Sequence, residues 1–257
     1  MDPATIAGIG LAFAAIFISM IMEGGNPASI MLIPAMILVF GGTLGAAMAG
    51  GMLKDFLGLI GSFQRVLLAK ATASDDLVES IVKLAEKARR EGLLALEDAM
   101  KDVDNAFLKK GLQLAIDGTD SDELRDILEA EVDAKKKADK AAAKIFEGMG
   151  GYAPTIGIIG TVLGLVHVLE NLSEPSSLGH LIAGAFVATL WGVLSANVLW
   201  LPMASKLKRL SEIECGQMEL VIAGIINIQA GANPRLVAQK LRSLLPPGAA
   251  APEKKAA

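Results

Sequence analysis

The sequence predicts an all-α, polytopic membrane protein: four transmembrane helices, with a helical cytoplasmic domain between the second and the third. Three observations carry that prediction. Of the 257 residues 53% are hydrophobic and the mean hydropathy is +0.49, yet only 4% are aromatic. The apolar residues fall in blocks: Ala4–Met22, Pro27–Leu53, Gly148–Leu169 and Leu178–Ser205 contain no Asp, Glu, Lys or Arg. Each block reaches the roughly 20 residues that carry a helix across about 30 Å of hydrocarbon. Finally, all 24 Lys and Arg residues lie between Lys54 and Lys144 or from Lys206 onward. The connections Glu23–Pro27 and Glu170–His180 hold acids and no Lys or Arg. By the positive-inside rule the basic segments, and with them both chain ends, are cytoplasmic. Lys54, Lys140, Lys144, Lys206, Lys208 and Arg209 flank the membrane ends and carry most weight in that rule.

The elements follow in order. Residues 1–53 form a hairpin of two spans, turned by Gly24, Gly25, Asn26 and Pro27. The first block has no basic segment before it and no small-residue cleavage site, so it reads as a retained helix. Residues 54–147 form the cytoplasmic domain. In "SDDLVESIVKLAEKARREG" Leu77, Ile81, Leu84, Ala85 and Ala88 share one face, predicting an amphipathic helix capped by Ser74 and stopped near Gly92. "LLALEDAMKDV" and "NAFLKKGLQLAI" predict short helices ending at Asp117–Asp120. No Gly or Pro interrupts Ser121–Glu147, so a helix from Ser121 is expected to continue into the third span. Residues 148–205 hold spans three and four. The fourth is expected to project inward through "ASKLKRLSEIECGQMELVIAGIINIQ". Residues 206–257 end in the helix "PRLVAQKLRSLL" and a Pro/Ala-rich tail of disordered composition.

Several function classes are excluded. The net charge of −4, without a basic patch interleaved with aromatics, argues against nucleic-acid binding. No nucleophile–base set, metal-ligand cluster or phosphate loop appears, so neither an enzyme nor a cofactor or metal site is expected. Cys215 is the only cysteine, which rules out an intrachain disulfide.

What the spans contain, and lack, is more informative. Gly41, Gly45 and Ala49 recur every four residues, as do Gly160 and Gly164. Small residues on one stripe let helix backbones approach closely in lipid, inside the chain or against a further copy or partner. No span holds an Asp, Glu, Lys or Arg, and His167 sits near the outer end of the third. Membrane ion handling needs an ionisable group or clustered oxygens. Here only Thr155, Thr161, Thr189, Ser195 and Asn197 offer polar atoms, so a titrating carboxylate must come from another polypeptide. Those threonines could equally bond their own helix carbonyls. Pro154, and likewise Pro34 and Pro202, would leave a carbonyl one turn earlier without its donor and permit a kink.

The stretches "GYAPTIGIIGTVLGLVHVLENL", "AFVATLWGVLSANVLWLPMASKLKR", "ARREGLLALED" and "GANPRLVAQKL" resemble the A subunit of the bacterial flagellar motor stator. This is the MotA/PomA group of the MotA/TolQ/ExbB superfamily, and the resemblance covers essentially the whole chain. It implies a multi-pass protein of the bacterial inner membrane. Five copies would surround the membrane helices of two one-span, peptidoglycan-binding B subunits, whose aspartate carries H+ or Na+. Ion passage would turn the pentamer, and its cytoplasmic charges would push the rotor switch-complex ring.

By the same resemblance Pro154 couples ion flow to rotation, with Thr155 following it. Thr189 faces the carboxylate site, and Phe186 contacts the partner helix. Thr161 stands where sodium-driven members carry threonine, a lean towards sodium. Pro234 matches a second family proline in the cytoplasmic tail. Arg89 and Glu97 match the family's charged pair for rotor contact, and the adjacent Arg90 could substitute for Arg89. Two other readings remain: an ExbB- or TolQ-like energiser of outer-membrane processes, which four spans argue against, and a passive oligomeric scaffold.

Overall fold

The computed structural model describes residues 3–68, 74–173 and 175–245. Every regular element among them is helical. Helix α1, Ala4–Met22, is apolar all round and has no buried residue, as suits a helix facing lipid. It stops at Gly24, whose φ of 81° only glycine adopts without strain. Asn26 then accepts the N–H of Ala28 at 2.9 Å and opens a 3-10 turn, Pro27–Ile30.

Helix α2 spans Ile33–Ala49 and includes one π-helical turn, Ile37–Gly41. It is shorter than the Pro27–Leu53 block, because the chain leaves helix again at Gly50–Met52. Pro34 does not kink it. That residue lies in the first turn, where its missing N–H has no helical acceptor to satisfy. Among the described residues three helices can cross a membrane by length and composition, Ala4–Met22, Ser121–Glu170 and Leu178–Gln229, while Ile33–Ala49 is apolar but shorter.

Helices α3, Leu53–Leu57, and α4, Leu59–Leu68, follow. Next come α5, Ser74–Glu91, a 3-10 turn at Leu93–Ala95, α6, Leu96–Ala99, and α7, Ala106–Ile116. Ser74 is the first helical residue of α5, and its hydroxyl accepts from Gln217 at 3.4 Å. Gly92, at φ 86°, stops α5 as its position predicts. Helix α8 runs from Ser121 to Glu170 without a break, past Pro154. Helix α9, Pro175–Ser195, passes through a π-helical turn, Ala196–Trp200, into α10, Leu201–Gln229. The wider turn lies where Pro202 withholds the N–H that Val198 would need. His180, expected in a loop, is inside α9. Helix α11, Pro234–Ser243, ends the described chain, and the Pro/Ala-rich tail lies outside the described residues.

The chain divides into two compact units, residues 1–70 with 139–210 and residues 71–138 with 211–257. In the first, Trp191 donates its indole N–H to the carbonyl of Ile30 at 2.7 Å and packs on Phe13 and Phe40. That ties α9 to the turn opening α2. Arg65 of α4 grips Asp139 of α8 with both guanidinium nitrogens, and Asp139 is only 8% exposed. In the second unit the apolar face of α5, with Leu77, Ile81 and Leu84, joins Leu112, Leu128, Ile225 and Leu241 in one core. Gly111 and Gly224 admit the side chains of Ile225 and Ile81 there. Leu128 is fully buried. Leu128→Ala should therefore lower stability by about 2–5 kcal/mol, measurable as an earlier thermal transition of the solubilised protein.

Candidate functional site

The seam between α8 and α9 is built from backbone. A Cβ added at Gly157 would meet the Ala188 carbonyl oxygen at 2.9 Å and the Cα atoms of Thr189 and Gly192 at 3.0 and 3.3 Å. One at Gly192 would meet the Ala153 oxygen at 2.6 Å. Gly160 and Gly164 sit against the Cβ atoms of Ala188 and Ala185. Gly157, Gly160 and Gly164 of the third span thus serve packing within the chain. Gly41 and Gly45, by contrast, have open space where their side chains would be.

This close approach brings two sequence-predicted residues together. Thr161 and Thr189, both half-buried, share a hydrogen bond between their hydroxyls. Thr161 Oγ1 also lies 3.1 Å from the Ala185 carbonyl across the seam and 3.3 Å from that of Gly157 in its own helix. Thr189 Oγ1 reaches the same Gly157 carbonyl at 3.2 Å. Four oxygens thus cluster around two hydroxyl hydrogens. The threonines do bond helix carbonyls, but chiefly across the seam, and spacing in sequence could not reveal that.

The other predicted residues stand apart from the pair. Thr155 is exposed and donates to the Tyr152 carbonyl at 2.8 Å, so it is not part of this cluster. Pro154 lies inside α8 and leaves the Gly150 carbonyl without an N–H donor; Gly150 itself packs on Leu201. Phe186 is 61% exposed. Ser195 is buried and bonds the Gly192 carbonyl, and Asn197 bonds that of Val193. Pro234 occupies the first turn of α11, where the side chain of Asn233 accepts the Arg235 N–H at 3.0 Å. Gly157 and Gly192 were not singled out from sequence. The signal was available, because both glycines belong to the small-residue spacing of their helices, but only a neighbour's position distinguishes backbone contact from side-chain contact.

The predicted rotor charges lie on α5 and α6 of the second unit. Arg90 is held by Glu86, with Nε 3.4 Å from its carbonyl oxygen and a guanidinium nitrogen 3.9 Å from its carboxylate. Arg89 and Glu97 are exposed and form no ion pair with a described residue. Beside them, Lys101 hydrogen-bonds Asp98 at 2.8 Å and holds its carboxyl below the ordinary carboxylate range.

An all-α chain with long apolar helices, joined by a glycine seam that holds a polar cluster, is a polytopic membrane protein. Comparison with known proteins narrows the class. The profile of the MotA/TolQ/ExbB proton channel family matches residues 99–220. Motility protein A of Bacillus subtilis is 39% identical over 248 residues, spanning 96% of this chain and 92% of that protein. Chemotaxis protein PomA of Vibrio alginolyticus is 31% identical, covering 96% and 97%. Among solved structures, C. jejuni MotAB superposes with a TM-score of 0.92 at 29% identity, over 96% of this chain and 97% of the other. The flagellar MotAB stator complex of Bacillus subtilis gives 0.88 at 37% identity, with the same coverage. The chain belongs to the MotA/TolQ/ExbB family, within its motility protein A group.

Removing one hydroxyl leaves the other with a carbonyl acceptor. Thr161→Val and Thr189→Val should each cost only about 0.6 kcal/mol of stability, the average for an interhelical hydrogen bond in membranes. Thermal unfolding in detergent checks this. A functional loss in either variant then reflects the site and not the fold.

Proposed function

We propose that this chain is the A subunit of a bacterial flagellar stator. With a one-span B subunit it forms an ion-conducting rotary complex that converts a proton or sodium gradient into torque on the rotor switch-complex ring. The observation that carries this reading is the Thr161–Thr189 pair, set in two spans that contain no Asp, Glu, Lys or Arg. The pair supplies hydroxyl and carbonyl oxygens but no titrating group, and a carboxylate on a partner helix completes the path. The full-length likeness to motility proteins and to MotAB structures supports that partner.

The apolar blocks and the flanking bases support four spans with cytoplasmic termini, and the family supports placement in the inner membrane. Open space at Gly41 and Gly45, and the exposed Phe186, favour a pentamer enclosing the B-subunit helices. Pro154 and Pro234 act as coupling and hinge positions, and Thr155 marks the inner end of the path. In the cytoplasmic domain Arg89 and Glu97 make the main rotor contact, because Arg90 is already engaged by Glu86. Weak exposed pairs suit a contact made and broken at every step.

Two experiments test this reading. Expressed alone the chain should pass no ions across vesicle membranes, and co-expression with its B subunit should restore flux. Conductance by the A chain alone would defeat the borrowed-carboxylate argument. Arg89→Glu and Glu97→Lys should each lower swimming torque by up to about fivefold at unchanged membrane levels. A complementary reversal in the rotor should partly restore it, and unchanged swimming in both variants would remove these residues from the contact.

A further inference from the structure

The geometry points to Gly157, with Gly192 opposite, as the positioning residue for ion preference. It fixes the separation of α8 and α9 at which the Thr161 and Thr189 hydroxyls share a hydrogen bond. This rests on the stator reading above only for its functional consequence; the packing claim stands by itself.

The reasoning starts from what each glycine touches. At Gly160 an added methyl meets the Ala188 Cβ at 2.5 Å and the Leu38 Cδ2 at 2.8 Å, both of them side-chain atoms. At Gly157 the three nearest atoms it meets are all backbone: the Ala188 oxygen, the Thr189 Cα and the Gly192 Cα. A leucine tip can turn aside, and the Ala188 Cβ, though fixed to α9, can be removed by substitution, whereas helix backbone moves only with its helix. An alanine at Gly157 therefore pushes α9 away from α8 at the very turn that carries Thr189. Gly192 acts from the other side, because its added Cβ would lie 3.1 Å from the Gly157 Cα.

The Gly157 carbonyl has a second part in this arrangement. Among the described residues it is the one carbonyl oxygen that bonds both hydroxyls. Contacts of 3.1 and 3.2 Å across the seam leave little slack before the hydrogen bonds fail. Widening the seam changes which oxygens face an arriving ion, and a proton and a hydrated cation differ in how many oxygens they need. The expected effect is on ion preference, beyond any effect on assembly.

The test uses the full A/B complex in swimming cells together with a crosslink in isolated membranes. In a Cys215→Ser background, Thr161→Cys with Thr189→Cys should form a disulfide on mild oxidation. Adding Gly157→Ala should reduce its yield about threefold or more, the equivalent of one lost interhelical hydrogen bond. In the otherwise unaltered chain, Gly157→Ala should shift the sodium concentration for half-maximal speed, or the pH dependence of speed, by a similar factor. The same change added to Thr161→Val/Thr189→Val should produce no further shift, because Gly157 acts through the pair. Whatever Gly160→Ala changes in speed or ion preference, Ala188→Gly should restore, because it removes the Cβ that the new methyl meets. Ala188→Gly should not rescue Gly157→Ala.

If Gly157→Ala does not accumulate in membranes, Gly192→Ala carries the same measurements. Loss of both variants would make these glycines folding determinants only and overturn the proposal. So would an unchanged crosslink yield, or an ion preference that moves equally with and without the threonines. A reduced crosslink in cells whose motility never depended on this chain would instead count against the stator reading and leave the packing claim intact.

Discussion

Two helix backbones in contact, with no side chain between them, are the constraint on which the membrane unit depends. In lipid there is no hydrophobic gain from bringing apolar helices together, so association relies on dispersion and on polar bonds that reach across. Glycine makes both available at once. At Gly157 and Gly192 the chain gives up side-chain surface, and α8 and α9 come close enough for hydroxyls on one to reach carbonyls on the other. The Trp191 anchor to Ile30 then places α2 against the same pair. A bulkier seam would keep the helices and lose the polar cluster.

The same economy shapes the chemistry. An ionised side chain inside hydrocarbon costs several kcal/mol by insertion scales. This chain bears none of that cost in its spans, and keeps its ion pairs in segments rich in charge: Arg65–Asp139, Lys208–Glu147, Lys135–Glu214 and Lys110–Glu131. A polar site made of hydroxyls and shared carbonyls is inexpensive to bury, because every hydrogen has an acceptor nearby. It also cannot titrate.

Much of the fold was legible in the sequence because its signals are one-dimensional. Charge-free blocks announced the apolar helices, and the unbroken run from Ser121 announced a helix that continues past Pro154. The leucines of α5 announced its buried face. The errors came where local chemistry has two outcomes. Pro34 begins a helix and does not bend one. His180 is helical because Pro175 starts α9 earlier than the polar residues around it suggest. Thr155 and Thr161 look alike in sequence, yet one faces outward and the other lies in the seam. Burial depends on a neighbouring helix whose rotation no periodicity specifies. That Arg90, and not Arg89, pairs with Glu86 likewise needed the structure.

The hydroxyl pair has a property that follows from counting its hydrogens. In one arrangement Thr189 donates to Thr161, which donates to Ala185; in the other Thr161 donates to Thr189, which donates to Gly157. Each satisfies the cluster, and rotating two O–H bonds converts one into the other with no heavy atom displaced. The fold therefore fixes where the oxygens are and leaves the sense of their dipole undetermined. A charge arriving beside the seam would choose that sense, and its departure would release it.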